Sequence, residues 1–151
     1  MKIEVVPCKL SHLRELANNM RPGDAAEAAV TGKPCRHLLV FLWRSSVYSR
    51  TALIDGQVAA AWGCTAPLLV SEGEPWLFTT PVVEKAPVSC VKVGRREVAR
   101  MLRDHQALVS SVADDYTRAV NFLRKLGFTI GAGQAVGDTG KVFREIRMER
   151  P

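Results

Sequence analysis

The chain has 151 residues, 47% of them hydrophobic and 24% charged, with a formal net charge of +6 and a pI near 9.5. That length suits one domain over residues 1–151 with a single core, and the composition is that of an ordinary globular protein. The positive excess is compatible with an anionic partner (nucleic acid, a phosphorylated cofactor or an acidic protein face) without establishing one.

The longest apolar run, Leu38 to Trp43, falls far short of the roughly 20 residues a helix needs to cross a bilayer. No membrane partner is therefore expected. At the N-terminus, MKIEVVPC carries Glu4 and Pro7 where a signal peptide would need a long apolar stretch, so an intracellular location is expected. Cys8, Cys35, Cys64 and Cys90 are widely spaced with no CxxC pair. The usual zinc-site spacing is missing, and reduced thiols with no bound metal are the expectation.

In chain order, Ile3 to Val6 reads as a strand stopped by Pro7. Ser11 precedes Leu13, Leu16 and Met20 at helical spacing, and Arg21-Pro22-Gly23 breaks that helix. Asp24 with Glu27 three residues on has the form of a capping box for an Ala-rich helix that Gly32 ends. Pro34 to Ser46 reads as a third helix, with a buried strand over LLVFLW left open because periodicity cannot separate the two in so short a run. TALI and QVAAAWG, joined by Asp55-Gly56, form a hairpin pattern. CTAPLLVSEGE reads as a loop, Glu74 to Thr80 as a strand, and Val88 to His105 as the longest helix.

The stretch from Ser110 to Phe128 is the most ordered in pattern. Ala107, Leu108, Val109 and Val112 make a short strand, and Asp114 and Asp115 sit where a helix needs an oxygen cap. Ala119, Val120, Leu123 and Leu126 then recur at helical spacing against Arg118, Asn121, Arg124 and Lys125, and Gly127 closes the helix. GAGQAVGDTGK reads as a glycine-rich connection, hairpin or loop, before a last strand from Val142 to Met148. Its glycines have no following helix, so a nucleotide-binding loop is not supported. The resulting fold class is α/β: a mixed central sheet with helices on both faces.

Leu126-Gly127-Phe128, at its spacing from the preceding turn and strand, resembles the last segment of the GNAT superfamily of acetyl-CoA-dependent N-acetyltransferases. VADDYTRAVNFLRKLGF and RPGDAAEAAVTG together resemble the internal virion protein A family of short-tailed phages, itself GNAT-like. The resemblance implies a single GNAT-like domain. In that fold the strands corresponding to Trp76–Thr80 and Leu108–Ser111 splay apart, acyl-CoA enters between them, and amides at the start of the next helix hold the pyrophosphate.

Carried onto this chain, the resemblance implies acetyl-CoA contacts from Phe78, Thr79, Thr80, Val88, Ser89, Cys90 and Tyr116. Glu74 is the candidate general base, with Glu72 beside it, and Tyr116 the candidate acid. The chain departs from the family pattern in three places. Val88 and Cys90 stand where small residues are usual, Pro87 removes an amide, and Leu123 occupies the place of the usual acid tyrosine. These departures favour a phage protein acting in virion assembly or protein interaction, with phage or host proteins or a second copy as partners, in the infected cell's cytoplasm or the virion. The alternative is an active acetyl-CoA-dependent N-acyltransferase acting on a protein or small amine. Lys92, Arg96, Arg100 and Arg103 share one helix face. They support nucleic-acid contact weakly, since no aromatics interleave and Glu97 and Asp104 would partly balance the stripe.

Overall fold

The computed structural model describes residues 1–66 and 71–151. Pro67 to Val70, the middle of the expected CTAPLLVSEGE loop, lie outside the described residues. The elements follow the order expected from the sequence. They are β1 (Ile3–Pro7), α1 (Leu10–Asn19), α2 (Pro22–Ala29), α3 (Cys35–Ser45), β2 (Ser46–Ile54), β3 (Gln57–Thr65), β4 (Glu72–Thr79), α4 (Pro87–Asp104), β5 (Ala107–Ala113), α5 (Thr117–Leu126), β6 (Thr129–Val136) and β7 (Lys141–Glu149). The seven strands form a mixed sheet in the order β1-β2-β3-β4-β5-β7-β6. Two compact units make up the chain, Met1–Thr65 with Pro75–Pro87, and Ala66–Glu74 with Val88–Pro151.

In the first unit β1, β2 and β3 run antiparallel. The β2–β3 turn places Asp55 at φ 49 and Gly56 at φ 80, the left-handed pair that a two-residue hairpin demands. Leu13, Leu16, Leu39, Val58, Ala61, Trp76 and Phe78 form the core under α1 and α3. The LLVFLW ambiguity resolves as helix α3, which runs straight into β2 at Ser46. β2 therefore begins earlier than TALI alone suggested.

The expected capping box does not form. Pro22 presets its own φ and opens α2 with Arg21 as the N-cap, so Asp24 falls inside the first turn. It is buried to 5% exposure and bonds elsewhere. α1 likewise starts one residue before Ser11, and the Lys9 amide donates to His12 Nδ1 at 3.2 Å.

In the second unit β4 pairs parallel with β5 at Glu72–Ala107 and Gly73–Leu108, the first residues of each strand. β5 pairs antiparallel with β7 along its length, and β7 with β6. Gly127 ends α5 at φ 106 as its position requires. The glycine-rich connection is instead mostly strand. β6 runs to Val136 with an irregularity between Ile130 and Gly133, and a 3-10 turn at Gly137–Thr139 leads into β7. The reason is close approach: a Cβ on Gly133 would come within 2.7 Å of Val142 Cγ1.

Asp114 and Asp115 are not the cap of α5. Tyr116 is the N-cap and makes no side-chain cap bond. Asp114 pairs with Arg144 and Asp115 with Lys141, each at 3.8 Å, so both carboxylates serve β7. Glu97 also departs from expectation. It is only 3% exposed and does not balance the basic face from solvent. Burial raises its carboxyl pKa, with Arg100 opposing the rise. Among the described residues no helix is long and apolar enough to cross a membrane.

Candidate functional site

Two adjoining segments hold most of the expected site residues, the end of β4 and the start of α4. In the first unit, Phe78, Thr79 and Thr80 are all buried. Thr79 donates its amide to Asp24 Oδ2 at 2.7 Å, and its hydroxyl donates to the same oxygen. The Thr80 hydroxyl donates to the Val58 carbonyl at 2.7 Å, and its amide to the Ala59 carbonyl at 2.9 Å. The threonine donors are thus already engaged with protein acceptors.

A 3-10 turn, Pro81–Lys85, follows and leads to α4. Four amide positions at a helix start have no partner within the helix. Here Ala86 donates to the Val83 carbonyl at 3.3 Å, Pro87 has no amide, and Val88 and Ser89 are the two that remain. The amide of Cys90 falls within the helical ladder of α4. The Val88 residue as a whole is 68% exposed. Burying the two amides against an anion would gain from the dipole of an 18-residue helix.

Tyr116 caps α5 in the second unit at φ −86 and ψ 71. It is half-buried, and its hydroxyl oxygen is inaccessible to solvent. Its amide donates to the Ala113 carbonyl at 3.1 Å. Glu74 is exposed on β4. It lines an open depression of about 640 Å³ on the second unit, with Glu72 beside it, Ser110 and Ser111 from β5, and Phe143 and Glu145 from β7. Glu72 accepts from Arg147 Nη2 at 2.8 Å, while Arg147 Nε donates to Glu149 at 2.6 Å. These two bonds raise the Arg147 pKa, Glu149 contributing most. The depression sets Glu72, Glu74 and Glu145 beside Phe143, with Arg144 also in its lining and Glu72 already paired with Arg147. Lys92, Arg96, Arg100 and Arg103 are all exposed on α4.

Sequence reasoning missed Glu145 and the roles of Arg21 and Asp24. Period-2 reading of VFREIRM puts Glu145 on the face of Phe143 and Arg147, so that signal was present. Asp24 lies four residues before the buried Ala28, on the apolar stripe of α2, which marks a carboxylate pointing inward.

No protein-family model matches the sequence, and no curated protein does either. Solved structures match along the whole chain. An N-acetyltransferase from Staphylococcus aureus Mu50 superposes with a TM-score of 0.76 at 12% identity, covering 100% of both chains. A ribosomal-protein-alanine N-acetyltransferase from Brucella melitensis gives 0.72 at 14% identity, covering 97% of this chain and 99% of its own. A Salmonella typhimurium protein solved with acetyl-CoA as its cofactor gives 0.69 at 11% identity, covering 100% of this chain and 95% of its own. The chain has the GNAT fold, an α/β architecture with a seven-stranded mixed sheet and five α-helices among the described residues.

Proposed function

We propose that the protein binds acetyl-CoA and transfers the acyl group to an amine. The observation that carries this is the start of α4, the helix that follows β4 and its 3-10 turn in a GNAT fold, where the Val88 and Ser89 amides have no partner within the helix. In this reading those amides hold the cofactor's pyrophosphate and Lys85 adds positive charge beside it. Phe78, Thr80 and Cys90 remain the other cofactor residues that the resemblance implies, and Thr79, whose polar atoms are all bonded to Arg21 and Asp24, is not one of them. Glu74, in the depression with Glu72 and Glu145, accepts the proton of the attacking amine, and the acceptor lies there as a cation or amine. Tyr116 is the candidate acid that returns a proton to the departing thiolate.

The likeness to internal virion protein A carries a second reading, an assembly role among phage or host proteins in the infected cell or the virion. It is favoured by Val88 standing where a glycine is usual, and by the exposed apolar side chains Phe41, 56% exposed, and Val47, 69% exposed. Contact of the basic face of α4 with nucleic acid is a third and weaker reading, and would show as steep salt dependence of binding.

Calorimetric titration with acetyl-CoA, on the wild type and on Val88→Glu, tests the first reading. Micromolar binding, weakened at least tenfold in the variant at unchanged melting temperature, is expected. The tenfold is the cost of about 1.4 kcal/mol of repulsion beside the pyrophosphate. No heat at millimolar acetyl-CoA would refute the acyl-transfer reading and leave the assembly role as the one to pursue.

A further inference from the structure

The end of β4 is held by the elbow between α1 and α2, through one residue, Thr79. Thr79 is 4% exposed and Asp24 5%. The Thr79 amide and hydroxyl both donate to Asp24 Oδ2, and Arg21 Nε donates to the Thr79 hydroxyl oxygen at 2.7 Å. The Arg21 amide completes the clamp by donating to the Thr79 carbonyl at 3.0 Å. Every polar atom of Thr79 is therefore bonded to two residues that lie 55 to 58 positions earlier. Arg21 also reaches forward, with Nη1 at 3.7 Å from Glu84 in the 3-10 turn after β4.

This is more than a packing contact, because of where the clamped segment leads. Thr80 accepts the Val82 amide on its hydroxyl at 3.2 Å and the Val83 amide on its carbonyl at 3.1 Å. Val83 in turn accepts the Ala86 amide at 3.3 Å, next to the first residue of α4. Hydrogen bonds thus tie the α1–α2 elbow to Thr79, and a second set ties the next residue, Thr80, to the turn as far as Ala86. A buried carboxylate taking two donors on one oxygen is a strong, directional anchor.

We infer that Arg21 and Asp24 are positioning residues for the cofactor site, holding the segment Thr79–Pro87 from which α4 starts. The inference rests on the acyl-CoA reading above, and it assigns a role to residues through their bonds to Thr79 rather than through contact with the ligand. A ligand that needs one arrangement of this segment binds in proportion to the fraction of molecules holding it. If loss of the anchor leaves that arrangement populated about a tenth of the time, Kd rises about tenfold with the ligand contacts untouched.

The test titrates acetyl-CoA into wild type, Asp24→Asn, Thr79→Val, Thr79→Ser and Arg21→Lys, each well below its own melting temperature. Asp24→Asn and Thr79→Val are expected to raise Kd about tenfold, and Thr79→Ser, which keeps the hydroxyl, to stay within about twofold of wild type. Hydrogen exchange is expected to speed up at Thr79, Val82 and Val83 in the weakened variants. Arg21→Lys keeps the charge and the backbone bond, and answers the question should Asp24→Asn fail to fold. Wild-type affinity in folded Arg21→Lys and Thr79→Val would overturn the inference while leaving the acyl-CoA reading intact. A wild type that binds no acetyl-CoA would overturn both.

Discussion

Replacing Gly63 with alanine puts the packing of the first unit to a direct test. Gly63 lies on β3 opposite Ser49. A Cβ there would sit 2.6 Å from the Tyr48 carbonyl oxygen and 2.8 Å from two ring carbons of Trp76. Neither neighbour is a flexible chain end. One belongs to the backbone of the β2–β3 ladder; the other is an indole only 8% exposed. Trp76 Nε1 donates to Ser46 Oγ at 2.7 Å, and that hydroxyl donates to the Leu42 carbonyl at 2.6 Å, so the indole is tied to the end of α3.

The added methyl must move the indole or open the ladder. Overpacking of this kind costs about 1–3 kcal/mol, and weakening the indole bond about 1 more. The restricted unfolded chain offsets about 0.4–1 kcal/mol. The net is a destabilisation of about 1–3.5 kcal/mol, which at this chain length lowers Tm by about 2–14 °C. Calorimetry and urea titration measure it, with the midpoint expected to fall at constant m value. Adding Trp76→Leu should recover part of the loss, because the two sites share the clash. A Tm within about 1 °C of wild type would refute the packing argument.

Glu97→Gln tests the buried carboxyl on α4. Its raised pKa means the folded state holds the proton more tightly than the unfolded state. That contribution is full below the ordinary value of 4.5 and is lost as pH rises through the folded pKa. The neutral amide is therefore expected to raise Tm at pH 7 and to change it little near pH 4. A lower Tm at pH 7 would show that the carboxylate's interactions outweigh its desolvation. Glu74→Gln is expected to lower kcat/KM for acyl transfer about 100-fold or more while leaving the acetyl-CoA Kd unchanged. Equal activity would remove Glu74 as the base.

Local chemistry alone determined a good deal. Asp55-Gly56 and Gly127 mark left-handed backbone that few other residues adopt, so the hairpin and the end of α5 were readable in place. The apolar periods of α4 and α5 and the short run of β5 set the order of elements. That order, with Leu126-Gly127-Phe128, was enough to reach the GNAT fold. The departures at Pro87 and Val88 were equally legible, because a missing amide needs no structure to be noticed.

Tertiary structure decided what depends on partners far along the chain. Residues 131–136 of β6 read as a hairpin or loop connection because their glycines carry no strand propensity of their own, and β7 supplies the ladder that holds them extended. Asp114 and Asp115 had the composition of a cap, but the positive side chains of Arg144 and Lys141 arrive from β7 to take them. Asp24 had the spacing of a capping box until Pro22 started the helix early and Thr79, 55 residues on, brought two donors to its carboxylate. A cap is satisfied within one turn of its own helix, so sequence can propose it. Only the folded chain settles whether a nearby amide or a distant one takes the charge.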